Sequence, residues 1–140
     1  MATFNKFNQF VEDVAHGVHN LGTGTLTVAL CAAANAPVAT NSVLADLTQI
    51  AYTNLSTRVI TTASSAETTG VYKLTLTDLV LTASGGSVAA FRYVVIYNDT
   101  PTSPADPLIG WYDYTSDLTL ASGETLTINF DDAAGVLTIA

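Results

Sequence analysis

Charged side chains are scarce in this sequence, and positive charge is the scarcest. Only 11% of the 140 residues are Asp, Glu, Lys or Arg, whereas about a quarter is usual in globular domains. Four Lys and Arg residues stand against twelve Asp and Glu residues, which gives a formal net charge of −8. Because the neutralisation of phosphates requires clustered Lys and Arg, the composition argues against a nucleic-acid-binding protein.

Cysteine and long apolar runs are also lacking. Cys31 is the one cysteine, which excludes an intrachain disulfide and a cysteine-based zinc site, and its apolar surroundings "TVALCAAA" predict a buried thiol. No segment approaches the ~20 apolar residues of a membrane span. The start "MATFNKFNQF" lacks the basic and apolar parts of a signal peptide. We therefore expect a soluble protein that is made in a cytoplasm and has no membrane partner.

Motifs for catalysis or phosphate binding are missing as well. There is no Gly-x-Ser-x-Gly, His-Glu-x-x-His or phosphate-binding glycine loop, so we predict neither an enzyme nor a cofactor. His16 and His19 have a spacing compatible with a shared metal, but Gly17 and a nearby helix end leave them poorly fixed. Asp131–Asp132 lack the alternating oxygen ligands of a calcium loop, even if Asp99 or Glu124 lay nearby. No metal site is predicted.

From Gly24 onward the pattern is that of β structure. In "TGTLTVAL" (23–30), Thr alternates with Leu and Val, as in a half-buried strand. Glycine-containing turns at 84–87, 121–126 and 131–136 are predicted as hairpin connections, and 63–70 as a polar loop. Short segments of this kind are typical of a β-sandwich or jelly roll. The predicted strands are 23–30, 57–62, 71–82, 89–98, 107–115, 117–121, 124–130 and 135–139.

The N-terminal segment has a different period. Apolar residues recur every three or four positions in 4–18, which predicts an amphipathic helix. Its stripe consists of Phe4, Phe7, Val11, Val14 and Val18, widened by Phe10. We therefore predict two units, an N-terminal helical arm (1–22) and a β-sandwich domain (23–140). On this view the arm covers a neighbouring surface, and deleting 1–18 leaves the sandwich folded.

Two aromatic runs, "FRYVVIYNDT" (91–100) and "PLIGWYDY" (107–114), raise a question of orientation. In a strand, Trp111 and Asp113 point to one face, and Tyr112 and Tyr114 to the other. Both runs are apolar on both faces, which is typical of central strands that are covered on two sides. The rings either belong to the core or face a partner, such as a sugar or another copy of the chain.

Six stretches of the chain form a further pattern: "GVHNLGTGTLTVAL", "APVATNSVLADLTQIA", "FRYVVIYNDT", "PLIGWYDY", "SGETLTINFD" and "GVLTIA". Taken together, they resemble the small head decoration (cement) proteins of tailed bacteriophages. The resemblance extends over most of the chain except the 61–70 loop, as an overall pattern without a diagnostic motif.

The resemblance implies a β-sandwich or jelly-roll body without catalytic residues. It implies a homo-oligomer, a trimer or dimer, on the outside of the assembled head, where it bridges neighbouring major capsid subunits and strengthens the shell. The protein is then made in the host bacterial cytoplasm and resides in the virion. The expected contact residues are Phe4, Phe7, Phe10, Val11, Trp111, Tyr112 and Tyr114.

Two other functions fit the same pattern. A carbohydrate-binding or host-adsorption module would stack sugars on Trp111 and a tyrosine, with Asp113 and Asn98 accepting hydroxyl groups. A tail-tube or head–tail joining protein would instead assemble into rings.

Overall fold

The computed structural model describes residues 2–140, and these residues form a mainly β structure. The helix α1 (Gln9–Ala15) follows the first strand, and single 3-10 turns lie at Ala33–Asn35 and Leu44–Asp46. The strands are β1 (Thr3–Lys6), β2 (Leu26–Cys31), β3 (Val59–Ile60), β4 (Thr62–Thr68), β5 (Val71–Leu76), β6 (Leu79–Thr82), β7 (Val88–Asn98), β8 (Leu108–Leu120), β9 (Thr125–Ile128) and β10 (Leu137–Ile139).

The strands associate into antiparallel sheets of different size. A five-stranded sheet has the order β1-β8-β7-β2-β3, a three-stranded sheet the order β10-β5-β4, and a two-stranded sheet joins β6 to β9. The predicted hairpins at 84–87, 121–126 and 131–136 are therefore wrong: each of these turns joins strands that belong to different sheets. Short turns at these places carry the chain from one sheet to the next.

The central strands β7 and β8 are covered on both faces, as their sequences predict. On one face, Val94, Ile96 and Tyr112 belong to a large core that includes residues from all three sheets. On the other face, Tyr93 and Val95 belong to a small core, against which Leu44, Leu47 and Trp111 pack. Trp111 and Tyr112 thus lie on opposite faces, which confirms the predicted alternation.

Irregular pairing between β7 and β8 changes the orientation of Phe91. The register shifts between Phe91 and Tyr93, and Thr115 in the opposing strand has a positive φ of 65°. Phe91 consequently joins Val94 in the large core, whereas strict alternation predicts that it shares a face with Tyr93. Strict alternation therefore fails at Phe91, where the register of the β7–β8 pairing shifts on both sides.

The predicted helix over 4–18 is confirmed only for Gln9–Ala15, and its first part is wrong because Thr3–Lys6 form β1 and pair with β8. The chain continues into the five-stranded sheet through a hydrogen bond from the Phe7 amide to the carbonyl of Ile109 (3.2 Å). Gly110 leaves room for this approach: a Cβ there would meet the ring of Phe4 and lie 2.6 Å from the carbonyl oxygen of Asn5. Met1, the first residue of the predicted arm, lies outside the described residues.

Three further predictions of strands and loops need correction. The predicted loop at 63–70 is strand β4 followed by a tight turn at 69–70. The predicted strand 71–82 is two strands, β5 and β6, in different sheets. The predicted strands 107–115 and 117–121 form one strand, β8. Polar composition hides β4, whose residues are mostly exposed, because no apolar alternation marks them.

Candidate interaction surface

The seven residues predicted to contact a partner differ widely in exposure. Phe7, Phe10 and Tyr112 are buried, with exposed fractions of 0%, 5% and 6%. Phe4 and Tyr114 are half-buried against the large core, and Trp111 against the small core. Val11 is 53% exposed. A ring that is buried within its own chain has little area left for a partner, so Phe7, Phe10 and Tyr112 are assigned to the core.

The residues considered for a sugar site do not form one. The Trp111 ring lies on Phe7, with the ring centres 4.5 Å apart and the planes at 42°. Asp113 accepts two hydrogen bonds from Arg92, of 2.8 and 3.0 Å, and this pairing holds the pKa of its carboxyl below the usual value. Asn98 is 1% exposed. Stacking, ion pairing and burial thus occupy all three groups within the chain.

Exposed apolar side chains line a groove where helix α1 lies beside β10. Val11 of α1 is 53% exposed and Ile139 of β10 is 43% exposed. A groove of about 470 Å³ lies between them, with Val14 and Phe10 also in its wall. The α1–β10 surface, as we call it, consists of Lys6, Phe10, Val11, Val14, Ala15, Thr138, Ile139 and Ala140.

A second shallow groove, of about 550 Å³, continues this surface past the end of the helix. Val14 and Ile139 line both grooves, so the two form one depression. Its far wall contains Tyr72, whose hydroxyl lies 2.8 Å from the hydroxyl oxygen of Ser65. The depression is therefore apolar along the helix and polar at its far end.

Two buried polar residues lie in α1 and shortly after its end. Asp13 and His19 are only 5% and 8% exposed. Asp13 accepts a hydrogen bond from the side-chain amide of Gln9 (3.2 Å). His19 Nδ1 lies 3.4 Å from the side-chain nitrogen of Asn98 in β7. Desolvation lowers the pKa of His19, and the nearby Asp13 carboxylate opposes that effect. The helix itself packs on the body of the protein through Phe10, which belongs to the large core.

The polar groups considered as metal ligands lie apart from one another. His16 is exposed and lies 3.7 Å from Glu12, whereas His19 is buried beside the Phe10 ring. Asp131 accepts hydrogen bonds from the amides of residues 133 and 134 in its own turn. Among residues 2–140, no group of three or more His, Cys, Asp or Glu side chains is arranged to hold a metal ion.

Comparison with known proteins gives no relative: no family model, curated protein or solved structure matches the chain. Within the part of the chain that the structure describes, no helix has the length and apolar character needed to cross a membrane.

Proposed function

We propose that this protein is a structural component of a bacteriophage virion, without enzymatic activity. It binds the outside of the assembled head through the α1–β10 surface and bridges neighbouring major capsid subunits. The observation that supports this proposal best is the pair of exposed apolar side chains, Val11 and Ile139, on either side of one groove. Lys6 has the one charged side chain of this surface, so a partner that covers the surface removes little charge from water.

The proposed fold behind this surface is a β-sandwich of the jelly-roll kind. The five-stranded sheet is one layer, and the two smaller sheets are the other. The large core contains buried residues from all three sheets, as expected for the interior between two layers. Helix α1 then lies at the margin of the sandwich, where its exposed side can meet a flat partner.

The strength of attachment follows from the size of the surface. Covering one half-exposed Val or Ile side chain contributes on the order of 1 kcal/mol, so a single contact of this kind is weak. A homo-oligomer binds several equivalent capsid positions at once, so its overall affinity is much higher than the affinity of one contact. Binding to the assembled shell alone stabilises the shell by mass action.

Co-sedimentation with expanded, undecorated heads of the parent phage tests this proposal. We expect saturable binding at a fixed ratio to the major capsid protein. Val11→Gln removes the apolar contact without adding a charge and keeps a good helix former. The matched control is Val38→Gln, because Val38 has the same exposed fraction of 53% and lies outside the α1–β10 surface.

We expect Val11→Gln to weaken binding by about tenfold, which corresponds to ~1.4 kcal/mol, whereas Val38→Gln leaves it unchanged. Equal binding of both variants would show that another surface meets the capsid. If the wild-type protein does not sediment with heads above the head-free control, the decoration proposal fails. Electron micrographs that show rings would then favour a tail-tube or head–tail joining protein.

A further inference from the structure

Strand β4 is an unusually open edge of the three-stranded sheet. It contains seven residues, Thr62–Thr68, and pairs on one side with β5. The edge strands β1, β3 and β10 have four, two and three residues. Proteins commonly protect an edge by short length, proline, lysine or a bulge. The pairing of β4 with β5 is irregular between Thr62 and Ser64 and regular from Ser64 to Thr68. The sequence of β4, "TASSAET", contains neither proline nor lysine, and Glu67 is its one charged residue.

The turn after β4 determines which backbone groups face outward. Thr69 and Gly70 both have positive φ, of 52° and 85°, as in a two-residue hairpin turn that is closed by Thr68 and Val71. Hydrogen-bonded pairs alternate along such a ladder, so the amide and carbonyl groups of Ser65 and Glu67 point away from β5. No backbone hydrogen bond joins residues 62–68 to a described segment outside the β4–β5 pair.

We propose that two copies of this chain associate by antiparallel pairing of their β4 strands, centred on Ser65. The backbone amide and carbonyl groups of each Ser65 then form hydrogen bonds with those of Ser65 in the second copy. Ser64 lies opposite Ala66 of that copy. The three-stranded sheets of the two copies join into one six-stranded sheet across the two-fold axis. The interface is an edge-to-edge contact of backbone groups, with side chains small enough to lie close together.

The charge pattern of β4 favours a second copy in this orientation. Antiparallel pairing about Ser65 places Glu67 opposite Ala63, so the carboxylates of the two copies are kept apart. Parallel pairing in register would place Glu67 beside Glu67 of the second copy, and like charges directly opposite are destabilising. Ser64 and Ala66 are exposed and uncharged, so their pairing requires no charge to be desolvated.

This association does not use the α1–β10 surface and does not depend on the proposed capsid binding. A protein that forms the dimer and does not bind heads would contradict the proposed function alone. A protein that binds heads and stays monomeric at every concentration would contradict the present inference and the oligomeric attachment, but not head binding itself. A narrow interface of this kind is weak, and we expect a dissociation constant on the order of 100 µM.

Sedimentation equilibrium over a range of protein concentrations tests the pairing, with two double variants as matched partners. S64K/A66K places lysine opposite lysine twice across the proposed two-fold axis. S64E/A66K places glutamate opposite lysine twice. Both variants carry the same lysine at position 66, which lies beside Lys73 of β5, so this intrachain neighbour affects them equally. Both substituted positions are exposed, and we expect both monomers to fold.

We expect a concentration-dependent dimer for the wild-type chain. The dissociation constant of S64K/A66K should exceed that of S64E/A66K by about tenfold or more, because two opposite-charge pairs replace two like-charge pairs. A wild-type chain that remains monomeric at about 1 mM, tenfold above the expected constant, overturns the inference. Equal dissociation constants for the two variants also overturn it, because the copies would then meet through another surface.

Discussion

Replacing Phe7 with alanine is expected to destabilise the whole fold, although Phe7 lies only a few residues from the start of the described chain. Its ring is fully buried in the small core and lies against Trp111, with ring centres 4.5 Å apart. Its backbone amide also donates to Ile109 in β8. Phe7 therefore joins the entrance of helix α1 to the centre of the five-stranded sheet.

The expected magnitude follows from the burial of the ring. Replacing a fully buried Phe by Ala removes its transfer free energy and leaves a cavity, which together cost about 3–5 kcal/mol. The contact with Trp111 contributes up to ~1 kcal/mol within that range. Total stabilities of single domains are about 5–15 kcal/mol, so the loss would be a large share of the whole.

Urea denaturation followed by Trp111 fluorescence measures this change, because the ring of the one tryptophan lies against Phe7. Circular dichroism should give the same midpoint if unfolding is two-state. Val11→Ala is the control: Val11 belongs to the same apolar stripe, but it is 53% exposed, so we expect a change within about 0.5 kcal/mol. The two variants thus separate burial from position along the stripe.

A loss of under about 1 kcal/mol for Phe7→Ala would refute this reasoning, because the removal of a fully buried phenylalanine ring typically costs about 3–5 kcal/mol of stability. The segment would then behave as the separate helical arm that the apolar stripe predicts. The same logic applies to the deletion of 1–18. Because β1 pairs with β8 and Phe10 belongs to the large core, we now expect that deletion to unfold the protein.

Two further predictions concern buried titratable groups. Burial lowers the pKa of His19 below its usual 6.5, so the unfolded chain binds more protons than the folded chain as pH falls through about 6.5. The free energy of unfolding should therefore decrease from pH 7 to pH 5. His19→Gln should make this decrease smaller, whereas His16→Gln, at an exposed position, should leave it unchanged. An equal decrease in both variants would contradict the role of His19. Burial also raises the pKa of Cys31 to about 11, so a thiol reagent at pH 8 should modify it slowly in the folded protein and rapidly in urea. Rapid modification without urea would show that the thiol is accessible.

The sequence predicts the central strands well because their environment is the same on both sides. Strands that are covered on two faces have apolar residues throughout, and "FRYVVIYN" and "LIGWYDY" have this character over most of their length. The opposite orientation of Trp111 and Tyr112 follows from the period of a strand alone. The position of Phe91 does not, because Phe91 lies where the register between β7 and β8 is irregular, and its partner residues are more than twenty positions later in the chain.

Sequence patterns give wrong secondary structure at the edges of the fold. Phe4, Phe7 and Phe10 recur every third residue, which fits a helix, yet β1 ends at Lys6 and α1 begins at Gln9. Pairing with β8 determines the conformation of β1, and a local pattern has no information about that partner. Strand β4 lacks a buried face of its own, so its sequence looks like a loop. The exposed side chains that form the α1–β10 surface come from segments far apart in the chain, which no local pattern reveals.

The pairing of β1 with β8 also has a consequence for the order of events during synthesis. Lys6 pairs with Gly110, more than one hundred positions later in the chain. At about 5–20 residues per second, the ribosome delivers β8 roughly 5–20 s after β1. Phe4 and Phe7 cannot reach their places in the sheet during that interval, so the growing chain exposes them to other molecules. The apolar residues of the N-terminal segment therefore stay unpaired until most of the chain has been made.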